Sequence, residues 1–166
     1  NAEFDSLSIL IVGAGTMGVR LLKKLRALNH KNISITNRTL EKLEYLKQDF
    51  NIKVVNYKTF QKQLPDFDII FSATSTKEYI LNKQYFYPNF QTQMVIDLGM
   101  PRNVNPDVRD LKGVELISIQ ELETMTEKTI QDRYKEMPKI KQVINEELEK
   151  LNKWQQFKEK CLEPAL

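Results

Sequence analysis

The sequence predicts an α/β chain, a doubly wound parallel sheet followed by a long C-terminal helical segment. Three observations predict it. Short β-branched runs alternate with helical patterns as far as Gly113. Several of those runs are apolar throughout, as strands covered on both faces must be. Beyond Gly113 the chain is charged, helical in pattern and free of glycine. Strand–helix alternation with short links implies parallel strands whose crossovers put cover on both faces of the sheet.

Five strands are read in order: Ser8-Ile9-Leu10-Ile11-Val12, Ile33-Ser34-Ile35-Thr36, Ile52-Lys53-Val54-Val55, Asp68-Ile69-Ile70-Phe71 and Met94-Val95-Ile96-Asp97-Leu98. Val114-Glu115-Leu116-Ile117 is a sixth. The clearest helices between them run from Met17 to Leu28 and from Leu40 to Phe50. Ser118 and Glu121 fit a capping box, in which each side chain satisfies a free backbone N–H of the other. From there to about Lys160 the pattern stays helical. Ile140, Val143, Ile144, Leu148, Leu151, Trp154 and Phe157 make one apolar stripe. Pro138 removes a helical hydrogen bond, so a kink or break is expected near Glu136. Two destinations for the stripe stay open: its own domain, or another domain or subunit. The expected division is a sheet domain over 3–117 and a connecting helix over 118–166. Asn1-Ala2 in place of an initiating Met reads as the remnant of a cleaved tag, so a piece of a longer protein is expected.

Composition narrows the chemistry. Of 166 residues, 25 are Lys or Arg and 22 are Asp or Glu, a net charge of +3 with no basic block to suggest nucleic acid. Hydrophobic residues at 41% and charged residues at 28% exclude a disordered or fibrous chain. No apolar run approaches the ~20 residues of a membrane span, and there is no secretory signal. With one His (His30) and one Cys (Cys161), neither a zinc site nor a Cys/His or Ser/His/Asp hydrolase is expected. His30 is read as a surface residue in a polar turn, Cys161 as an incidental or buried thiol. No metal site and no catalytic residue are assigned within the chain, and a reducing, cytoplasmic setting fits the cysteine usage.

The chemistry-bearing motif is Gly13-Ala14-Gly15-Thr16-Met17-Gly18, a G-x-G-x-x-G that follows an apolar strand and opens an amphipathic helix. Gly13 permits the tight turn, Gly15 lets a pyrophosphate reach the backbone, and Gly18 lets the helix sit close to the strand. Free N–H groups at the helix start then hold the phosphate charge. The sheet is accordingly a Rossmann-type dinucleotide fold. An NAD site would place Asp or Glu at the end of the second strand to bond the ribose 2′-hydroxyl. Here that end reads Thr36-Asn37-Arg38-Thr39, with no acid before Glu41. Arg38 can pair with a 2′-phosphate and stack on adenine, Asn37 and Thr39 can donate to phosphate oxygens, and Lys42 adds charge. The bland alternatives are an exposed loop arginine and a helix-capping threonine. The cluster and the missing acid favour NADPH. Ser72-Ala73-Thr74-Ser75 after the fourth strand suits a cofactor crossing the strand ends. Gly99, Met100 and Pro101 after the fifth are placed where a nicotinamide would lie, with Gly99 allowing close approach and Met100 an apolar wall. Each of these segments also reads as ordinary turn chemistry.

At these residues the sequence resembles the NADPH-binding domain of glutamyl-tRNA reductase. The resemblance rests on Ile11 to Gly18, on Asn37-Arg38-Thr39-Leu40-Glu41, and most specifically on Asp97-Leu98-Gly99-Met100-Pro101-Arg102-Asn103-Val104-Asn105-Pro106. Arg133, Ile144 to Glu147 and Trp154 match the family's connecting helix, so the likeness runs from about Leu7 to Pro164. The sequence departs at Thr16, where the family favours an acid; at Gly99-Met100, where it favours Ala-Val; and at Asn103 and Asn105, where it favours Asp. Pro138 is also unusual in such a helix.

The resemblance implies a division of labour. A cysteine in a preceding catalytic domain attacks glutamyl-tRNA, NADPH supplies a hydride to the resulting thioester, and glutamate-1-semialdehyde leaves for tetrapyrrole (porphyrin) synthesis. The full enzyme would be a homodimer acting on glutamyl-tRNA, and this portion alone inactive and monomeric. Two alternatives stand beside it: the cofactor domain of a shikimate-type NADP dehydrogenase, which shares the Asn-Arg-Thr ending, and a non-catalytic NADPH-sensing module that signals through its terminal helix.

Overall fold

The alternation of apolar runs and helices closes into a six-stranded, all-parallel sheet in the order β3-β2-β1-β4-β5-β6. The strands are β1 (Ile9–Val12), β2 (Ile33–Thr36), β3 (Lys53–Val54), β4 (Ile69–Ser72), β5 (Gln93–Asp97) and β6 (Val114–Ser118). This computed structural model describes residues 2–86 and 92–129. The apolar stripe from Ile140 to Phe157, the break expected at Pro138, and Cys161 lie outside the described residues. The chain divides into two units, Asn1–Leu122 and Glu123–Leu166. The sheet and the cleft beside it belong to the first.

Register follows from burial on both faces. β1 pairs Ile9 with Ile33 and Ile69, and Val12 with Thr36 and Ser72, so the central strand is flush with both neighbours. Alternate residues then serve opposite cores, as the two-residue period of a strand requires. Ile9 and Ile11 join Leu22, Leu25, Leu43 and Leu46 from α2 (Thr16–Ala27) and α3 (Glu41–Phe50). Leu10 and Val12 join Phe60, Leu64, Val95, Val104 and Val108 on the other face. Among the described residues, that second face packs against 3₁₀ turns at Phe60–Asp66, Lys83–Tyr85 and Pro106–Asp110. Pro65 inside the first removes a helical hydrogen bond and keeps it from running on as an α-helix. β3 is shorter than its apolar run, although the Val55 N–H still donates to the Ile35 carbonyl at 2.9 Å.

His30 corrects the sequence reading: it is fully buried. A short helix, α1 (Ala2–Ser6), brings Phe4 onto its ring at 5.0 Å between centroids, and Nε2 lies 2.9 Å from the Leu7 carbonyl oxygen. The polar neighbours Asn29 and Lys31 suggested a surface turn. The cover comes instead from a distant segment at the N-terminus, which no local pattern could announce.

The capping box forms as expected. The backbone N–H and hydroxyl of Ser118 both donate to Glu121 Oε2 at 2.8 Å, and the Glu121 N–H points back at Ser118 Oγ. It opens a helix, α4, described over 119–129. Arg109 reaches both carboxylate oxygens at 2.8 Å. The Ser118 backbone N–H first, then its hydroxyl and the Arg109 charge, hold the Glu121 carboxyl below its ordinary value.

Candidate nucleotide-binding site

β1 and β4 lie side by side although β2 and β3 intervene in sequence, so the strand order reverses between them, and ligands of open α/β sheets sit at the carboxyl ends beside such a point. A cleft of about 490 Å³ opens there, within the ~300–1,000 Å³ usual for cofactor sites. Its floor is the glycine turn. Gly13 has φ +111°, a conformation that β-carbon-bearing residues rarely adopt. The ladder continues past the strands through Gly13 N–H to the Thr36 carbonyl and Ala73 N–H to the Val12 carbonyl, both 2.8 Å.

The glycines differ in what they make room for. A side chain on Gly18 would strike the Gly13 carbonyl, so this glycine serves helix–strand packing and is buried. One on Gly15 would meet nothing within 4 Å, because it points into the open cleft. Gly15 also begins α2 with no side chain capping it and no acidic residue in the first turn. The free N–H groups there carry the helix's partial positive charge into the cleft. This bare, uncapped helix start is the feature that a pyrophosphate fits.

Of the residues expected at the site, the cleft brings together Gly13, Gly15, Thr16, Met17, Asn37, Arg38, Thr39, Lys42, Ala73, Thr74, Ser75 and Met100. Arg38 and Lys42 are its charged walls, and among the described residues no carboxylate lines it. Five others stand back from it. Ala14 is buried behind the turn and Gly18 beneath it, Ser72 is fully buried, and Pro101 is exposed beyond the rim after a cis Met100–Pro101 peptide. Gly99 is buried as well, and the space a side chain would need is filled by Asn103. The space beside its Cα is thus taken by this chain's own amide.

Asn37 acts on the turn itself. Its Oδ1 accepts from the Ala14 N–H at 3.1 Å and its Nδ2 donates to the Thr39 carbonyl at 2.9 Å, tying the glycine turn to the end of β2. Tyr57, Thr76, Leu98 and Ile119 also line the cleft and were not singled out from the sequence. Thr76 continues the hydroxyl run from Ser72, and Leu98 lies inside the motif, so both had a signal. Tyr57, stacked on Phe60 at 5.4 Å, is an aromatic residue just past a strand end, a weaker one. Among the described residues no cluster of His, Cys, Asp or Glu could hold a metal, and no helix is long and apolar enough to cross a membrane.

Comparison with known proteins places this geometry. The family model described as shikimate / quinate 5-dehydrogenase matches residues 1–125. Glutamyl-tRNA reductases from Pelodictyon phaeoclathratiforme and Chlorobium limicola are 39% and 38% identical over 160 residues, covering 91% of this chain. The chain spans only 38% of the length of those relatives. Among solved structures, the glutamyl-tRNA reductase of Methanopyrus kandleri superposes with a TM-score of 0.78 at 26% identity, over 92% of this chain and 41% of that one. The nucleotide-binding domain of the Thermoplasma volcanium enzyme shares the fold, with a TM-score of 0.63 at 20% identity over 80% of this chain and 90% of its own. Over residues 1–125 the chain belongs to the shikimate/quinate 5-dehydrogenase family, in the form that glutamyl-tRNA reductases carry as their NAD(P)-binding domain.

Proposed function

We propose that the chain is the NADPH-holding domain of a cytoplasmic glutamyl-tRNA reductase, inactive by itself. In the whole protein it would serve a reaction on glutamyl-tRNA that ends in glutamate-1-semialdehyde, the entry to tetrapyrroles. The observation that carries the NADPH preference is the end of β2. Arg38, Thr39 and Lys42 share one cleft with the glycine turn, and no carboxylate among the described residues lines that cleft to repel a 2′-phosphate.

When bound, the nicotinamide supplies the hydride. The chain's own part is to hold and orient. The N–H groups at the start of α2 would hold the pyrophosphate, with Gly15 leaving the approach open, and Asn37 keeps the turn against β2. Arg38 and Lys42 bind the 2′-phosphate. Ala73, Thr74, Ser75, Thr76, Leu98 and Met100 wall the other end. The lining residues described are not Cys, His, Asp or Glu, and the reactive cysteine is proposed to lie in another part of the full protein. The full protein is proposed to act as a homodimer, the present chain alone being monomeric.

Titration of the chain with NADPH and NADH, followed by cofactor fluorescence, tests the reading. Tighter NADPH binding and no reduction of glutamyl-tRNA by the chain alone are expected. Equal affinity for the two would overturn the preference, and turnover by the chain alone would overturn the division of labour.

A further inference from the structure

Away from the surface that a nucleotide would touch, the densest set of buried polar contacts gathers on Asn103, which is fully buried. Its Oδ1 accepts from the Thr74 backbone N–H at 3.0 Å, from the Thr74 hydroxyl at 2.9 Å and from the Ser72 hydroxyl at 3.3 Å. Its Nδ2 donates to the carbonyls of Thr76 at 3.2 Å and Pro101 at 3.3 Å. The backbone is fixed too. Its N–H donates to Asp97 Oδ2 at 3.0 Å, and its carbonyl accepts from the N–H groups of Ile80 and Leu81.

The partners dictate the side chain. A backbone N–H can only donate and a carbonyl can only accept, so the position needs an acceptor on one side and a two-hydrogen donor on the other. An amide meets both demands. A carboxylate of the same shape would turn a second acceptor towards two carbonyl oxygens.

We propose that Asn103 is a positioning residue for the end of the cleft walled by Met100. It locks Ala73–Thr76, after β4, to Leu98–Pro101, after β5, and Gly99 is bare so that the amide fits. The two segments supply Ala73, Thr74, Ser75, Thr76, Leu98 and Met100 to the cleft, so their separation sets the width in which a ring is held. This deepens the nucleotide reading above and rests on it.

The test is NADPH titration of the unmodified chain and of Asn103→Asp between about pH 5 and about pH 8, with the ratio of their affinities taken at each pH. Burial and the facing carbonyls raise the pKa of the introduced carboxyl. At the acid end it is protonated and donates, and the two affinities approach each other. At the alkaline end it is ionised, and the variant binds about tenfold more weakly. A merely structural role would give a ratio, taken over the folded fraction at each pH, that does not change, and that result overturns the proposal.

Asn103→Ala carries no charge and covers the case in which the Asp variant does not fold. It is expected to melt as a folded protein and to bind about tenfold more weakly at every pH. Unchanged affinity in folded Asn103→Ala counts against the proposal. Hydrogen exchange in the unmodified chain reads the contact with no substitution and no ligand. A slowly exchanging Thr74 amide is expected, and fast, loop-like exchange overturns the lock. Absence of NADPH binding by the unmodified chain would defeat the nucleotide reading instead, leaving exchange to judge the lock.

Discussion

Gly18 rests its bare Cα against the carbonyl of Gly13, and a β-carbon on it would overlap that oxygen. Gly18→Ala therefore has to push α2 off β1. An overpacking cost of about 1–3 kcal/mol is expected, read as a lower midpoint in urea. Gly15→Ala is the contrast, since its β-carbon enters open cleft from an ordinary extended backbone. It should leave stability within about 0.5 kcal/mol and weaken dinucleotide binding by about tenfold or more. Equal stability losses in the two variants would refute this assignment of roles.

Arg38→Asp should invert nucleotide choice. Removing a charge-assisted contact to the 2′-phosphate costs about 1.5–3 kcal/mol, about ten- to a hundredfold in NADPH affinity. The new carboxylate can accept from an NADH ribose hydroxyl. Parallel titrations measure the ratio, and an unchanged ratio would place the selectivity elsewhere.

His30→Ala should cost about 2–4 kcal/mol, because it empties a fully buried site and leaves the Leu7 carbonyl without its partner. His30 is absent from the cleft lining, so the folded variant should bind NADPH like the unmodified chain. Thermal melts with and without NADPH separate the two effects.

Glu121 predicts an acid-sensitive contribution. Its carboxyl titrates lower in the folded chain than in the unfolded one, held down chiefly by the Ser118 N–H. The contribution is therefore complete above the ordinary glutamate value of 4.5 and disappears as pH falls through the lower, folded value. Glu121 is well exposed, so the effect is modest. Glu121→Gln should lower Tm slightly at neutral pH and converge with the unmodified chain in acid. A constant gap across that range would refute the electrostatic origin.

Legibility in the sequence followed the range of the interaction. β1, β2, the glycine turn and the Ser118–Glu121 box are local patterns: an apolar run, a fixed spacing, a cap and its partner. Each stands within a residue or so of where the sequence put it. That the strands run parallel followed from alternation alone. The burial of His30 depends on Phe4 and Leu7, more than twenty positions away, and the contacts of Asn103 reach back to Ser72, Thr74 and Thr76. Nothing periodic encodes such meetings. Gly99 shows the same limit, since its bareness was visible while the amide it accommodates was not.

The strand order has a further consequence. With β1 and β4 adjacent at the centre, the cleft is bounded by two stretches of chain that pair side by side along its seam. The first, up to β3, contributes Arg38, Thr39 and Lys42 and has Asn37 as its stitch; the second, from β4 onward, contributes the hydroxyl run and Met100 and has Asn103. Each stretch is braced within itself. On the proposed reading, drift in the first would retune which nucleotide is admitted while the second kept its hold on the ring, so the domain could change its supplier of electrons without relearning its aim.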